Sequence, residues 1–399
     1  MAAVDLASLA QDGGRILLIV LDGLGGVASA ARGTELEEAD TPNLDRLAAE
    51  GLTGMLEPVG PGITPGSGPG HLALFGYDPT AYELGRGVLS AAGLGVRLEP
   101  GDVAARGNLC RVAADGTVVD RRAGRIDDVR AREVVDRLQR EVRLDGVRAS
   151  FHHERGHRVL VVLRGPGLDP RVSDTDPQRT GSPPLPPRPL NPAAAATAAA
   201  VAELSEQART ILAGRADANG LLLRGWSGPV DLPPFRARTG MRAAAIAVYP
   251  MYRGLATLAG FEVLGPPADL DAAVALLDDA RGHDFVFWHY KDADAAGEDG
   301  DAEAKVAAIE RLDARLPVIL ERAAADVIAV TGDHATPASL AAHSWHPVPL
   351  LVHAARAGRD EVERFGERWC RSGALGLRPS LTLLPQLMAA AGRLRKYGA

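Results

Sequence analysis

The sequence contains little cysteine, and it lacks both long apolar runs and a surplus of basic charge. Its 399 residues include two cysteines, Cys110 and Cys370, which are too few for a disulfide framework or a CxxC-type zinc site. This scarcity suits a reducing cytoplasm. The formal net charge is −7, which argues against nucleic acid as a partner, because nucleic-acid-binding proteins usually carry a basic face.

Signals for membranes or export are also absent from the sequence. No stretch reaches the roughly 18 apolar residues that a membrane helix needs. The N-terminus has no basic region, and the apolar run at 16–21 is too short for the core of a signal peptide. We therefore expect a cytoplasmic protein with neither a membrane nor a nucleic-acid partner.

Lysine is scarce as well. Only three of the 44 basic residues are lysines, namely Lys291, Lys305 and Lys396, and the others are arginines. Such a bias is typical of a composition that replaces lysine by arginine wherever either residue serves. A lysine that is retained against this bias is a candidate for a role that requires an ammonium group.

Short apolar runs bounded by turn residues occur towards both ends of the chain. Residues 16–21 predict a buried parallel strand, and residues 243–248, 285–289 and 327–331 predict further strands separated by helices. This alternation predicts an α/β fold built on a parallel sheet.

The middle of the chain has a different pattern of predicted secondary structure. From residue 96 onward it predicts short strands, a hairpin turn at Asp115-Gly116 and one amphipathic helix, and a proline-rich connector follows at 182–192. We therefore expect a smaller α+β domain at 96–185, inserted into one core domain formed by 1–95 and 186–399.

Acidic and histidine side chains stand directly after three predicted strands: Asp22, then Lys291 with Asp294, then Asp333 with His334. Ligands bind beyond the carboxyl ends of the strands in open α/β sheets, so these loops are expected to converge. His343 and His346 follow shortly after the third loop. Asp and His together are the ligand set of Mn²⁺, Zn²⁺ or Mg²⁺.

A serine in a glycine-rich loop is the fourth element. The segment GSGPGH at 66–71 places Ser67 at an expected helix start, where backbone N–H groups and the helix dipole favour a phosphate group. Beside a metal cluster, this serine is a candidate nucleophile activated by metal coordination.

The order of the motifs along the chain resembles that of the cofactor-independent (2,3-bisphosphoglycerate-independent) phosphoglycerate mutases, in the shorter, archaeal-type branch of the family. The motifs run from about residue 16 to 353 and are VLDGLGG, TPNLDRLAAEG, PGSGPGHLALFGYDP, GRGV, DRRAGRI, HRVLVVLRG, SDTDP, AGEDGD and TGDHATP. The resemblance implies an alkaline-phosphatase-like core with an inserted substrate-binding cap domain.

The resemblance also implies two divalent metal ions. One ion would be held by Asp22, Ser67, Asp333 and His334, and the other by Asp294, residue 298 and His343. Ser67 would be the residue that becomes phosphorylated. Manganese is the expected metal, with Mg²⁺, Co²⁺ and Zn²⁺ as alternatives.

Residue 298 departs from the family pattern, because the usual D-x-x-x-H motif here ends in Glu298. Glu298 is expected to ligate in place of the histidine and to give a harder, oxygen-rich site that favours Mn²⁺ or Mg²⁺. Two alternatives stay open: His346 completes the site, or the second site is weakened and the reaction is altered.

Guanidinium groups bind phosphate and carboxylate bidentately, so arginines in the matching motifs are candidates for substrate binding. The predicted substrate-binding residues are Arg86, Arg121, Arg122, Arg125, His157 and Arg158. Lys291, three residues before Asp294, is predicted to neutralise charge on the transferring phosphoryl group.

The implied reaction interconverts 3-phosphoglycerate and 2-phosphoglycerate in glycolysis and gluconeogenesis, through a phosphoserine and without 2,3-bisphosphoglycerate. The same core supports many substrates. The alternative is a metal-dependent phosphatase or phosphotransferase of the superfamily that acts on another small phosphate or phosphonate.

Overall fold

The structure is a computed structural model that describes residues 5–82 and 84–398. The chain divides into two compact units: unit 1 comprises Met1–Tyr82 and Leu232–Ala399, and unit 2 comprises Glu83–Asp231.

The described residues form thirteen strands, which are β1 (Ile16–Leu21), β2 (Leu52–Glu57), β3 (Val103–Val112), β4 (Val118–Asp120), β5 (Arg148–Arg155), β6 (Arg158–Arg164), β7 (Gly220–Ser227), β8 (Ala243–Ile246), β9 (Glu262–Leu264), β10 (Phe285–Tyr290), β11 (Val327–Thr331), β12 (Val348–Ala354) and β13 (Gly376–Pro379).

They also form fourteen α-helices, which are α1 (Leu6–Leu9), α2 (Glu35–Glu38), α3 (Pro42–Ala49), α4 (Ser67–Leu74), α5 (Arg86–Gly93), α6 (Asp128–Glu141), α7 (Ala195–Ile211), α8 (Phe235–Thr239), α9 (Pro250–Leu258), α10 (Leu270–Ala275), α11 (Asp292–Glu298), α12 (Ala302–Ala323), α13 (Glu367–Cys370) and α14 (Leu383–Ala390). Among the described residues, no helix combines the length and apolar character that crossing a membrane requires.

Unit 1 is built on an eight-stranded sheet in the order β13-β2-β12-β11-β1-β10-β8-β9. The central strand β1 lies parallel to both β10 and β11. All six residues of β1 are buried, as expected for a strand covered on both faces. The predicted α/β fold with parallel strands is therefore confirmed, with the difference that β12 runs antiparallel to both of its neighbours.

The sheet register fixes where the functional loops begin. Leu21 at the end of β1 pairs with Tyr290 of β10, and Val20 pairs with Thr331 of β11. Three adjacent parallel strands thus end at the same edge of the sheet, and the loops that follow them emerge side by side.

Unit 2 contains an antiparallel sheet in the order β4-β3-β6-β5, with β7 paired to β3. Helices α6 and α7 contribute Val135, Leu138, Val201 and Leu204 to its apolar core. The helices and antiparallel strands give this unit the α+β character that the sequence predicts.

Unit 2 is longer than the expected domain at 96–185, because it extends from Glu83 to Asp231. Residues 186–231 belong to unit 2 because α7 packs in its core and β7 pairs with β3. Residues 84–95 belong to it because the backbone N–H at Val88 on α5 donates to the Ser227 hydroxyl of β7 at 2.8 Å. The proline-rich connector is therefore internal to the unit and does not mark its end.

Candidate metal centre and arginine cluster

The edge of the unit 1 sheet brings together the acidic residues that the sequence singles out. Asp22 follows β1, Asp294 lies on α11 just after β10, and Asp333 with His334 follows β11. All four side chains are 0–1% exposed. The predicted convergence of the three loops is observed because their strands are adjacent and parallel.

The first group of candidate ligands consists of Asp22, Asp333 and His334, whose ligand atoms lie within 4.8 Å of one another. The His334 Nε2 atom is 3.3 Å from Asp22 Oδ1 and 3.2 Å from Asp333 Oδ2. Ser67 is the first residue of α4, and its Oγ atom lies 3.2 Å from the same Nε2. The serine hydroxyl thus sits at a helix N-terminus, beside the carboxylates.

The second group consists of Asp294, His334 and His343. The His343 Nε2 atom lies 3.7 Å from Asp294 Oδ1 and 3.6 Å from Glu298 Oε1. The side chain of Glu298 is 55% exposed, in contrast to the buried aspartates. His334 therefore faces both groups, whereas the sequence assigns it to the first group alone.

His346 lies apart from these groups. Its Nδ1 atom is 3.0 Å from the Ser344 hydroxyl, and its ring stacks on Trp345. Of the two residues considered for completing the second site, the structure brings Glu298 near His343, while His346 belongs to neither cluster.

The donor set fits divalent cations. Asp22 Oδ1 and Asp333 Oδ2 are buried carboxylate oxygens whose nearest partners are the ring nitrogens of His334 and His71, at 3.1–3.3 Å. Burying ionised carboxylates side by side is costly unless a cation compensates their charge. A cation bound by Asp, His and Ser oxygen and nitrogen atoms would satisfy these oxygens, and such ligands suit Mn²⁺, Mg²⁺ or Zn²⁺.

Lys291 supplies one positive charge to this cluster. Its ammonium group lies 3.0 Å from Asp22 Oδ2 and also pairs with Asp294. Burial raises the pKa of Asp22, but Lys291 and hydrogen bonds from His289 and His334 hold this pKa well below its usual range. Burial lowers the pKa of Lys291, but the charges of Asp22 and Asp294 together with Tyr252 outweigh it and raise this pKa well above its usual range. Both groups are therefore charged at neutral pH.

His343 and Glu298 influence each other's protonation. Burial lowers the pKa of His343, but its ion pair with Glu298 and the charge of Asp294 raise it overall, to about 9. The same ion pair lowers the pKa of Glu298. A metal ion bound by His343 must therefore displace a proton.

A layer of aromatic side chains behind the cluster is not predicted by the sequence analysis. Tyr252 on α9 donates its hydroxyl proton to Asp22 Oδ2 and stacks on His289. His71 places its Nδ1 atom 3.1 Å from Asp333 Oδ2. His71 lies in the same glycine-rich segment as Ser67, and this position could have indicated that His71 is near the site. Tyr252 lies in no motif, so the sequence gives no indication of its contact with Asp22.

Unit 2 contains a cluster of arginines on its sheet. Arg106 on β3 lies directly opposite Arg224 on β7, and Arg158 on β6 lies opposite Asn108 of β3. Like charges directly opposite each other destabilise a sheet. The Nε atoms of Arg106 and Arg224 are buried without a hydrogen-bond partner among the described residues. Each of these two Nε atoms faces a carboxylate at ion-pair distance, with Glu154 Oε2 at 3.8 Å from Arg106 and Asp176 Oδ2 at 4.0 Å from Arg224.

The neighbouring charges also shift pKa values in this cluster. Burial lowers the pKa of Arg86 to about 10, and the charges of Arg224, Arg106 and Arg158 contribute to the shift. Burial and the nearby arginines lower the pKa of His157 to about 4. His157 is therefore neutral at pH 7 and can accept as well as donate a hydrogen bond.

Only some of the predicted substrate-binding residues belong to the arginine cluster. Arg158 is close enough to Arg86, Arg122 and His157 for their electrostatic interactions to shift pKa values. Arg121 instead forms a bidentate ion pair with Asp176, at 3.0 and 2.7 Å.

Arg125 is exposed at the end of a short 3-10 helix (Ala123–Arg125), with a φ of 57°. Arg106 and Arg224, which the sequence analysis omits, are the more deeply placed members of the cluster.

Comparison with known proteins identifies relatives along the whole chain. Residues 48–216 match the family model of the 2,3-bisphosphoglycerate-independent phosphoglycerate mutases. A probable 2,3-bisphosphoglycerate-independent phosphoglycerate mutase from Thermus thermophilus is 50% identical over 391 residues, covering 96% of each chain. The similarly named protein from Deinococcus radiodurans is 46% identical over 394 residues, again covering 96% of each chain.

Two solved structures share the fold. A Pyrococcus horikoshii protein superposes with a TM-score of 0.80 at 30% identity, covering 97% of this chain and 100% of that one. The cofactor-independent phosphoglycerate mutase from Thermoplasma acidophilum gives a TM-score of 0.68 at 31% identity, covering 95% of this chain and 100% of that one.

Proposed function

The chain belongs to the 2,3-bisphosphoglycerate-independent phosphoglycerate mutase family, and from this premise we propose that it interconverts 3-phosphoglycerate and 2-phosphoglycerate. The observation that carries the proposal is the position of Ser67. Its hydroxyl lies at the N-terminus of α4, 3.2 Å from His334 Nε2, within the carboxylate cluster of unit 1. The protein is thus an isomerase that acts by intramolecular phosphoryl transfer.

We assign two divalent ions to the cluster. Asp22, Ser67, Asp333 and His334 would hold one ion, and Asp294, Glu298 and His343 would hold the other. Manganese is the proposed metal because carboxylate oxygens dominate the donor set. When bound, divalent ions lower the pKa of a coordinated hydroxyl and neutralise charge on a phosphoryl group.

Ser67 is the proposed nucleophile. Its hydroxyl gives up a proton and its oxygen forms a bond to phosphorus while the bond between phosphorus and the 3-oxygen of glycerate breaks, and that 3-oxygen takes up a proton. In the second half of the reaction the 2-hydroxyl gives up a proton and its oxygen bonds to phosphorus, while the bond from phosphorus to Ser67 breaks and the Ser67 oxygen takes up a proton. Lys291 offsets the negative charge that develops on the phosphoryl oxygens.

The arginine cluster of unit 2 is proposed to bind the carboxylate of phosphoglycerate. Arg86, Arg122 and Arg158, together with Arg106 and Arg224, concentrate guanidinium groups that bind a carboxylate bidentately. His157 adds a neutral hydrogen-bonding group. The 2- and 3-oxygens of glycerate exchange roles during the reaction. Glycerate must therefore stay bound through its carboxylate, which the arginine cluster would hold. Unit 2 is accordingly proposed to be the substrate-binding cap domain of the family.

We also place the chain in the shorter, archaeal-type branch, acting in glycolysis and gluconeogenesis in the cytoplasm. Coverage of the entire Pyrococcus and Thermoplasma chains by this sequence supports the branch assignment.

The test is a product assay with purified protein, Mn²⁺ and 3-phosphoglycerate, in the absence of 2,3-bisphosphoglycerate. Formation of 2-phosphoglycerate without release of inorganic phosphate supports the proposal. Release of phosphate as the sole product would instead identify a metal-dependent phosphatase or phosphotransferase with another physiological substrate. No turnover with any of Mn²⁺, Mg²⁺, Co²⁺ or Zn²⁺ would contradict both assignments.

A further inference from the structure

Lys305 is a buried lysine that the reaction described above does not use. It lies in the first turn of α12, and its side chain is 0% exposed. Burying an ammonium group is costly unless each of its protons finds an acceptor. The contacts of Lys305 therefore indicate what this charge is retained for.

Its acceptors lie in the loops of the candidate metal centre. The Lys305 Nζ atom donates to the carbonyl oxygen of Gly25 at 3.0 Å and to that of Thr336 at 2.9 Å. The Glu35 carboxylate is the third neighbour, at 3.5 Å. Gly25 lies in the loop that begins with Asp22, and Thr336 lies in the loop that begins with Asp333.

The two loops are also joined to each other. The backbone N–H of Thr336 donates to the carbonyl oxygens of Gly23 and Gly25, at 3.3 and 3.1 Å. The Thr336 hydroxyl donates to Asp294 Oδ1 at 2.6 Å. A displacement of Thr336 would therefore move a contact of Asp294 as well as the Asp333 loop.

Two glutamates complete the charged group around Lys305. Glu35 Oε1 accepts a hydrogen bond from the backbone N–H of Ala338 at 2.8 Å, and Glu367 Oε1 accepts one from Gly26 at 2.7 Å. A backbone N–H of the Asp22 loop thus donates to Glu367, and one of the Asp333 loop donates to Glu35. Lys305 donates to a backbone carbonyl oxygen of each loop.

We propose that Lys305 is a positioning residue for the metal centre, whose ammonium group holds the Asp22 loop and the Asp333 loop at the separation that divalent-ion binding requires. The proposal rests on the metal centre assigned under the proposed function. Three carboxylates converge at the edge of the sheet and repel one another, so a fixed cation behind their loops lowers the cost of keeping them together. Groups behind the ligands that orient them change metal affinity by about 10–100-fold.

A purely structural role is the competing explanation, and Arg393 offers a matched control. Arg393 is a cationic residue of unit 1 that is 4% exposed. It donates to the carbonyl oxygens of Gly14 and Gly13 at 2.7 and 3.0 Å, and to Asp284 at 2.8 Å. It therefore joins backbone segments as Lys305 does, but at sites outside the metal loops.

The experiment compares Lys305→Met and Arg393→Met with the wild-type protein. The Mn²⁺ dissociation constant is measured by calorimetry on metal-free protein, and the thermal unfolding midpoint is measured without and with Mn²⁺. Lys305→Met is expected to weaken Mn²⁺ binding by about ten-fold or more. Arg393→Met is expected to lower the midpoint of the metal-free protein but to keep the Mn²⁺ affinity within about two-fold. Excess Mn²⁺ should restore the turnover of Lys305→Met, because its deficit is in metal affinity.

Wild-type Mn²⁺ affinity in Lys305→Met, or an equal loss in Arg393→Met, would overturn the inference. If Lys305→Met does not fold, Glu35→Gln decides, since it keeps the acceptor for Ala338 and removes the charge that faces Lys305. Weaker Mn²⁺ binding in Glu35→Gln supports the proposal, and unchanged binding rejects it. The binding measurement uses no phosphoglycerate, so a failure of the proposed mutase activity is seen separately in the product assay.

Discussion

The two units of the molecule concentrate charge of opposite sign in different ways. In unit 1 the carboxylates of Asp22, Asp294 and Asp333 are 0–1% exposed and lie close to one another, with His334 between Asp22 and Asp333. In unit 2 the arginines range from the buried Arg106 to the exposed Arg122. The first arrangement suits small ions that bind after losing water, and the second suits an organic anion that enters and leaves with each turnover.

The backbone of each unit accounts for the difference. The carboxylates of unit 1 directly follow parallel strands, Asp22 and Asp333 in loops and Asp294 on α11, and they are buried where these chain segments converge. The arginines Arg106, Arg158 and Arg224 of unit 2 stand on antiparallel strands, which expose one face of a sheet more readily. Under the proposed function, unit 1 would carry out the chemistry and unit 2 would bind the anion.

The largest effect is expected from Ser67→Ala, which tests whether the chemistry belongs to unit 1. Loss of the nucleophile should lower mutase turnover by about three orders of magnitude or more, while thermal unfolding stays close to that of the wild type. Ser380→Ala, at a serine of unit 1 that is 2% exposed, is the control and should keep its turnover. Near wild-type turnover in Ser67→Ala would remove the basis of the proposed mechanism.

Removal of metal ions is the next strongest test. Treatment with EDTA should lower turnover by about a hundred-fold or more, because loss of the ion exceeds the effect of changing a group behind its ligands. Mn²⁺ should restore more turnover than Mg²⁺, Co²⁺ or Zn²⁺ in a metal-reconstitution series. Full activity in a rigorously metal-free sample would show that the carboxylate cluster has another purpose.

Arg106→Met tests whether anion recognition belongs to unit 2. Hydrogen bonds to charged groups contribute about 1.5–3 kcal/mol, so the KM for 3-phosphoglycerate should rise by about 10–100-fold with a smaller change in kcat. Arg130→Met, at an exposed arginine on α6, should leave both constants unchanged. Steady-state kinetics at saturating Mn²⁺ would measure this, and equal KM values in the two variants would refute the assignment.

Glu298 tests whether every metal ligand of unit 1 is buried, as Asp22, Asp294 and Asp333 are. The side chain of Glu298 is half exposed, although it is a proposed ligand. If it is a ligand, Glu298→Gln should weaken the second Mn²⁺ by about ten-fold or more, because the amide keeps the shape but loses the charge. Glu298→His should recover binding and shift the preference towards Zn²⁺ or Co²⁺.

Asp299→Asn, at the neighbouring exposed carboxylate, is the control for Glu298→Gln. Metal titrations of the three variants would decide. Identical second-site affinities in wild type and Glu298→Gln would mean that Asp294 and His343 act there without Glu298.

The smallest effect concerns pH and the stability of unit 2. Burial and the charges of Arg158, Arg122 and Arg106 lower the pKa of His157 from 6.5 to about 4, with Asp120 acting in the opposite direction. Between these values the unfolded chain binds a proton that the folded chain does not. The free energy of unfolding should therefore fall as the pH falls from about 6.5 to about 4, by about 1–3 kcal/mol from this group.

His157→Gln should remove that part of the pH dependence, because the amide does not titrate. Urea unfolding of both proteins at a series of pH values would show a steeper loss of stability in the wild type than in His157→Gln between about pH 6.5 and about pH 4. Parallel curves for the two proteins would mean that His157 is as easily protonated in the folded state as in the unfolded chain.

Part of this protein could be predicted from local sequence. The bounds of β1 at Ile16–Leu21 and of β11 at Val327–Thr331 follow directly from apolar runs between turn residues. The convergence of Asp22, Asp294 and Asp333 follows as well, because parallel strands end at one edge of a sheet. The length of an apolar run, the spacing of its apolar residues and the turn residues that bound it are local properties, so they can be read from one sequence.

Other features were decided only by the tertiary structure. The true extent of unit 2 depends on the pairing of β7 with β3, which lie more than 100 residues apart. The arginine pair Arg106 and Arg224 arises from that same register. The contact of Tyr252 with Asp22, and that of Lys305 with both metal loops, likewise join segments that no local pattern relates. Such contacts depend on how elements pack after they form, and the identity of a side chain does not specify its distant neighbours.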